Sequence, residues 1–175
     1  MKRFSKKEIF SIPNLMGYFR ILMIPVFCYL YIGKQRYLAA SAAVLLSSLT
    51  DLFDGKIARK YNLVTDFGKF MDPLADKLLV CSAMICLIEM GRLSAWIVIV
   101  ISREFIISGF RLVASDNGVV IAASYWGKFK TTFQMLMIIV LLLNFGGVFV
   151  LIGQILTWIA LILTVVSLVD YIVKN

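Results

Sequence analysis

The sequence predicts an all-α integral membrane protein with six transmembrane helices and a short interfacial helix at its N-terminus. Of its 175 residues, 61% are hydrophobic and only 16% are charged, and apolar stretches recur from one end of the chain to the other. A transmembrane helix needs about 20 residues to cross the hydrocarbon core, which leaves room for roughly five to seven spans. We therefore expect a single transmembrane domain over residues 1–175.

The N-terminal helix is expected to lie on the membrane rather than to cross it. The segment KRFSKKEIFSI mixes lysines with apolar residues before Pro13, a pattern that is typical of a helix in the lipid interface. Its basic residues would also attract anionic lipid. No small-residue cleavage site follows, so we expect the first span to remain in the mature protein.

Six apolar segments long enough to cross a membrane follow. The first and the last are nearly free of charge, whereas the middle four carry charged residues at one end. With the N-terminus in the cytoplasm, only Lys34, Arg36 and Arg92 of the 18 lysines and arginines lie outside. This positive-inside bias predicts a multi-pass protein of the cell membrane with both termini in the cytoplasm. The predicted spans are residues 15–33, 37–59, 70–90, 93–113, 125–144 and 148–171.

Composition limits the chemistry. The chain has no histidine, which excludes histidine-dependent metal sites and the commonest general acid and base. Cys28, Cys81 and Cys86 lie in apolar segments without metal-ligand spacing, so we interpret them as core residues. Any catalysis must use carboxylates, lysines, arginines or hydroxyls. The net charge of +8 fits a protein at the anionic cytoplasmic leaflet, and no nucleic-acid partner is expected.

Four aspartates mark the predicted site: Asp51, Asp54, Asp72 and Asp76. Carboxylates are costly near a lipid core, so this cluster indicates a function. The members of the first pair are three residues apart and those of the second pair four apart, so each pair lies on one face of its helix. Because the second span runs inward and the third runs outward, we expect the two acidic faces to meet at the cytoplasmic end.

Neighbouring carboxylates need compensating positive charge, because like charges in a low dielectric repel. A divalent cation is the natural compensation, and an all-oxygen ligand set favours magnesium, manganese or calcium over zinc. Magnesium usually keeps positions for phosphate oxygens, which suggests phosphate chemistry. Gly55 and Ala58 leave room for a substrate near the backbone, and Arg59 could hold a phosphate bidentately.

Two alternatives stay open at this point. Asp72 precedes Pro73, so it could cap a helix that has proline in its first turn. A cation transporter would also need carboxylates inside the membrane. Against a transporter, the chain shows no obvious inverted repeat or broken helix pair.

The residues around the aspartates resemble the signature of the CDP-alcohol phosphotransferase family, DxxDGxxAR followed after eight residues by GxxxDxxxD. Every fixed position and both gaps match. The resemblance implies a six-helix membrane enzyme with this family's fold, commonly a homodimer, that displaces CMP from a CDP-linked substrate with an alcohol. The matching positions are Asp51, Asp54, Gly55, Ala58, Arg59, Gly68, Asp72 and Asp76.

Carried over position by position, the resemblance implies a role for each residue. The four aspartates would bind two magnesium or manganese ions, and Asp76 would also be the general base. The segment PNLMGYFR resembles a family stretch near the nucleotide, although Gly17 stands where threonine is expected. The implied contacts to CDP-diacylglycerol are Asn14, Gly55, Ala58, Arg59, Thr65 and Gly68.

A basic cluster at the predicted cytoplasmic ends of spans four and five favours an anionic acceptor, although each side chain could instead anchor a helix end. The segments REFIISGFR and GKFKTTFQM resemble those of family members that transfer the phosphatidyl group of CDP-diacylglycerol to glycerol 3-phosphate. Inositol phosphate, serine and phosphatidylglycerol stay open as other acceptors of the family. Glu104 lies in the same cluster, and the predicted acceptor phosphate-binding residues are Arg103, Arg111, Lys128 and Lys130.

Overall fold

The computed structural model describes residues 12–60, 66–116, 118 and 124–174, and the regular structure in these ranges is helical throughout. Residues 1–11, which include nearly all of the predicted interfacial helix, lie outside the described residues. Thr65 also lies outside them. Within the described ranges there are six long helices: α1 (Ile12–Cys28), α2 (Tyr37–Lys60), α3 (Asp66–Glu89), α4 (Val98–Asp116), α5 (Tyr125–Leu143) and α6 (Val148–Lys174).

Short irregular turns set several helix boundaries. A π-helical turn, Tyr29–Gly33, continues α1. The backbone N–H groups of Arg92 and Leu93 both donate to the Leu87 carbonyl, so Leu93, at which the sequence predicts the start of the fourth span, belongs to the turn that closes α3. A 3-10 turn, Ala95–Ile97, then leads into α4. The fourth helix therefore starts later than the sequence predicts, because apolar residues in this turn have the composition of a span.

The chain divides into two compact units, Met1–Ala83 and Met84–Asn175. In the first unit, α1 packs against α2. The ring of Tyr31 stacks on Phe27 with 5.5 Å between their centroids and meets Tyr37 edge-on at 5.3 Å. Ala40, on the first turn of α2, is also buried. These aromatic contacts hold the start of α2 against the end of α1.

In the second unit, α6 packs against α5 and α4 and buries its small and polar residues. Gly153, Thr157, Ala160, Thr164 and Ser167 all lie on the buried face. The hydroxyls of both threonines donate to backbone carbonyls of their own helix four residues earlier, so no hydroxyl proton is left unsatisfied there. Small residues on a buried face allow helix backbones to approach closely, as they do between helices in membranes.

The opposite face of α6 is exposed and carries large apolar side chains. They recur at helical spacing from Ile155 and Trp158 through Ile162 and Val165 to Val169. A stripe of this size is not stable against water, whereas hydrocarbon accommodates it without cost. This reversal of the pattern of a soluble protein is typical of a membrane helix.

Among the described residues, three stretches are both long enough and apolar enough to cross a membrane: Asn14–Gly33, Tyr125–Leu143 and Val148–Val173. Their length and composition indicate a membrane protein. Within the described residues of α2 the apolar stretch is shorter, Tyr37–Ser48. The predicted count of six spans therefore goes beyond what apolar composition shows in the described part of the chain.

Gly153 is a position where even a methyl group should be costly. A Cβ there would lie 2.4 Å from Leu141 Cδ2 and 3.0 Å from Leu141 Cγ, whereas nothing lies within 4 Å of a Cβ on Gly109. Both glycines are inside helices, so Gly→Ala brings the same gain in helix propensity at both. We expect Gly153→Ala to be about 1–3 kcal/mol less stable than Gly109→Ala, measured by thermal unfolding in detergent. Equal melting temperatures would contradict the close approach of α5 and α6.

Candidate active site

The four predicted metal ligands lie on two consecutive helices. Asp51 and Asp54 are in the second half of α2, and Asp72 and Asp76 are in the first half of α3. Only residues 61–65 separate these helices, and both helix parts belong to the first unit. Of the four side chains, the structure describes that of Asp76 alone. Each pair lies on one helical face, in agreement with the spacing argument.

Asp72 is not a helix cap. Helix α3 begins at Asp66 and runs through Pro73 without a break, so Asp72 lies in the helix interior. Proline at this position removes one backbone donor and disfavours the helix locally. The capping alternative is therefore wrong for Asp72, and helix capping does not explain why a carboxylate stands at this position.

Asp76 is paired with an arginine from the first helix. Arg20 Nη1 of α1 lies 2.5 Å from Asp76 Oδ1. The Arg20 side chain is 1% exposed, whereas the Asp76 side chain is 41% exposed. The guanidinium therefore orients the carboxylate from the buried side and leaves it accessible from the other. Because a buried guanidinium is stable only with a hydrogen-bonded partner, this pair also ties α1 to α3.

Sequence reasoning did not assign Arg20 to the site. A signal was present, because Arg20 is a charged residue within an otherwise apolar span. Asn14 and Gly17 precede it at steps of three residues, and all three positions are buried. They form one face of α1. All three belong to the segment PNLMGYFR, which resembles the family stretch near the nucleotide. Gly68, another predicted substrate contact, is buried in the first turns of α3.

A second charged cluster lies in the second unit, around Glu104 of α4. The Lys130 ammonium of α5 forms a close ion pair with Glu104 Oε1, and Arg103 Nη1 lies 3.5 Å from the same oxygen. The three side chains are nearly buried, at 1% exposure for Lys130, 10% for Arg103 and 14% for Glu104. Two predicted acceptor residues thus converge on one carboxylate.

The guanidinium of Arg103 lies next to the N-terminus of α5. Ser124 caps this helix, and its hydroxyl oxygen accepts the Gly127 N–H at 3.2 Å. A Cβ on Gly127 would stand 3.7 Å from Arg103 Nη2, so the guanidinium lies beside the first turn of α5. Within the described part of the chain, the buried Nε atoms of Arg103 and Arg111 have no hydrogen-bond acceptor. A bound anion could supply one.

Lys128 is placed apart from this cluster. Its side chain is exposed, and its ammonium lies 5.5 Å from the centroid of the Tyr125 ring. Two residues correspond to about 200° around an α-helix, so Lys128 and Lys130 project to nearly opposite sides of α5. Arg111 is two turns beyond Arg103 on α4, about 12 Å along the helix axis at 1.5 Å per residue. The four predicted acceptor residues are therefore not all together.

Among the side chains that the structure describes, no group of three or more metal-ligating residues is found, and the side chains of three of the four predicted ligands are not among them. The donor set nonetheless fits a hard cation, because it consists of carboxylates and the chain contains no histidine. The described carboxylate, Asp76, already has a cationic partner. This pairing compensates the negative charge of that one carboxylate.

Comparison with known proteins gives a consistent picture. The profile of the CDP-alcohol phosphatidyltransferase family matches residues 10–166. A Bacillus subtilis protein named CDP-diacylglycerol--glycerol-3-phosphate 3-phosphatidyltransferase is 42% identical over 95% of this chain and 96% of its own length. A Rickettsia typhi protein of the same name is 38% identical over 92% of this chain and 94% of its own.

A third relative extends the comparison to a more distant bacterium. A Mycobacterium tuberculosis protein named probable phosphatidylglycerophosphate synthase is 35% identical over 97% of this chain and 83% of its own length. The matched family generally depends on a divalent metal. Signature, helical membrane architecture and similarity over nearly the whole chain agree, and the chain belongs to the CDP-alcohol phosphatidyltransferase family.

Proposed function

We propose that this phosphatidyltransferase moves the phosphatidyl group of CDP-diacylglycerol to a hydroxyl of glycerol 3-phosphate, giving phosphatidylglycerophosphate and CMP. One observation carries this proposal: the chain is similar, over more than nine-tenths of its length, to relatives whose names state that activity. The basic cluster on α4 and α5 supports an anionic acceptor. Membership of a transferase family leaves the cation-transporter alternative without support.

Donor activation is assigned to the signature residues. Asp51, Asp54, Asp72 and Asp76 offer only carboxylate oxygens, the donor type preferred by magnesium and manganese. Two such ions would neutralise the charge of the pyrophosphate and of the departing CMP. The remaining proposed contacts to the CDP-lipid are Asn14, Gly55, Ala58, Arg59, Thr65 and Gly68, of which Asn14 and Gly68 are buried in the structure.

Asp76 is proposed to act as the base. Its carboxylate takes the proton from the acceptor hydroxyl as the hydroxyl oxygen attacks the phosphorus on the lipid side. A new phosphoester bond forms, the phosphoanhydride bond breaks in line with it, and CMP leaves. Arg20 supports this role because it fixes the orientation of the carboxylate from the buried side. The exposed side of Asp76 remains open to a hydroxyl.

The acceptor phosphate is assigned to Arg103, Arg111 and Lys130, with Lys128 as a weaker candidate. Arginine binds phosphate bidentately, and lysine adds a compact charge. Among the described residues the Nε atoms of both arginines are buried without a hydrogen-bond acceptor, which supports this assignment. Lys128 is exposed and turned to the other side of α5, so its contribution would require a different geometry of the bound acceptor.

The membrane arrangement completes the proposal. Six spans, an interfacial N-terminal helix, cytoplasmic termini and an active site on the cytoplasmic side of the cell membrane fit the charge bias of the sequence. The exposed apolar stripe of α6 supports contact with lipid. A homodimer is proposed from the family resemblance.

CMP release by the purified protein tests the reaction directly. CDP-diacylglycerol and magnesium would be supplied with glycerol 3-phosphate, serine, inositol phosphate or phosphatidylglycerol in separate reactions. We expect CMP release with glycerol 3-phosphate alone and its loss when a chelator removes the metal. Preference for another acceptor would replace the substrate but keep the donor chemistry. No release with any acceptor from folded protein would contradict the proposed function.

A further inference from the structure

Glu104 is a carboxylate at the centre of the basic cluster, and the proposed reaction gives it no task. Its Oε1 atom contacts both the ammonium of Lys130 and the guanidinium of Arg103. All three groups are nearly buried, so the contact is not a transient surface pair. A carboxylate in a site for an anionic substrate should repel that substrate, and its presence needs a reason.

We propose that Glu104 is a positioning residue, which holds Lys130 and Arg103 in the orientation that binds the phosphate of the acceptor alcohol. This inference rests on the proposed function of the cluster. Glu104 itself does not touch the substrate. It acts through the two cations, one from its own helix and one from α5.

Stability alone explains this pair poorly. Desolvation of a buried ion pair can exceed its Coulombic attraction, and apolar residues of the same volume are often equally stable or more stable. The cluster also carries cations in excess of what Glu104 can neutralise. Arg103 and Lys130 bring two positive charges to the single negative charge of Glu104, so the three contacting groups keep a net positive charge. A phosphate monoester is an anion of the opposite sign.

The geometry explains why positioning is needed. Lysine has a flexible four-carbon stem, and an unrestrained ammonium samples many positions. Glu104 fixes the ammonium of Lys130. The backbone carbonyl of Glu104 in turn accepts a hydrogen bond from the Ser108 hydroxyl. The Nε atom of Arg103 is buried and has no hydrogen-bond acceptor within the described ranges. A phosphate oxygen could accept a hydrogen bond from this Nε–H once the guanidinium is held in place.

Two physical effects make opposite predictions for Glu104→Gln. Removing a negative charge beside an anionic substrate should tighten acceptor binding if the pocket works by net charge alone. Releasing Lys130 and Arg103 from their common partner should weaken acceptor binding if Glu104 positions them. The sign of the change in KM for the acceptor therefore separates the two explanations.

The experiment is a steady-state analysis of the full-length protein in mixed lipid and detergent micelles. We expect Glu104→Gln to raise the KM for glycerol 3-phosphate at least tenfold and to change the KM for CDP-diacylglycerol less than twofold. Glu104→Asp keeps the charge but withdraws the carboxylate by one methylene, so an intermediate KM is expected. Glu89→Gln, at an exposed glutamate of α3, serves as the matched control and should leave both constants unchanged.

An unchanged or lower KM for glycerol 3-phosphate in folded Glu104→Gln would overturn the proposal. If Glu104→Gln does not fold, a wild-type KM in Glu104→Asp would overturn it equally. Lys130→Ala separates this failure from that of the proposed function. If the acceptor KM is raised in Lys130→Ala but normal in Glu104→Gln, the positioning role of Glu104 is refuted and the acceptor site stands. If the acceptor KM is normal in both variants, the acceptor site itself is refuted.

Discussion

Asp76→Asn is expected to abolish CMP release while the chain still folds and inserts into the membrane. A positioned general base contributes about 10²–10⁴-fold to a rate, and this substitution also removes a proposed metal ligand, so we expect kcat to fall by at least about 10³-fold. Asparagine keeps a carbonyl oxygen that can accept the hydrogen bond from Arg20. CMP release and thermal unfolding, measured on one preparation, check both parts of the prediction.

A stability control is required because Asp76→Asn leaves a buried guanidinium without its counter-ion. Breaking a buried pair costs about 3–5 kcal/mol, and the lower end applies here because the Asp76 side chain is 41% exposed. In the double variant Arg20→Met/Asp76→Asn the buried charge is gone, so the melting temperature should recover in part while CMP release stays lost. Turnover within tenfold of wild type in folded Asp76→Asn would refute its role as the base.

Apolar periodicity predicts the helices well where a cap or a glycine turn ends them. The prediction of spans at 125–144 and 148–171 agrees closely with α5 and α6, because Ser124 caps α5 and Asn144 adopts a left-handed conformation at its end. It fails at the start of α4, where Leu93 belongs to the turn that closes α3 and the apolar residues Ala95–Ile97 form a 3-10 turn. Composition does not distinguish these cases, because the decisive interaction is a backbone hydrogen bond.

Local spacing predicts which aspartates share a helical face, but it does not predict their distant partners. Arg20 and Asp76 are 56 positions apart, and no local pattern connects them. The sequence indicates that an arginine inside an apolar span needs a partner, without indicating which carboxylate it is. The contact depends on how α1 packs in the first unit, which is a property of the tertiary structure.

The basic cluster shows the opposite situation, because the sequence itself contains the signal that separates its lysines. Lys128 and Lys130 are both cations on a predicted helix, but helical phase alone places them on nearly opposite sides. Only one of the two can therefore face the interior, and burial distinguishes Lys130 from Lys128.

Lys130→Ala is expected to raise the KM for glycerol 3-phosphate far more than the KM for CDP-diacylglycerol. A charge-assisted hydrogen bond contributes about 1.5–3 kcal/mol, which corresponds to roughly 10- to 150-fold in affinity. The upper end applies here, because the substitution also leaves the Glu104 carboxylate without its lysine partner beside an anionic substrate. Initial rates with each substrate varied in turn give the two constants.

Lys128→Ala is the matched control for this prediction, because it removes the same charge from the same helix two residues away. Its ammonium is exposed over the Tyr125 ring, so screening by solvent should keep the change in acceptor KM below about twofold. Equal increases in both KM values for Lys130→Ala would argue against an acceptor site at this position. Equal effects of the two lysines would show that net charge at the start of α5, rather than the buried contact with Glu104, attracts the acceptor.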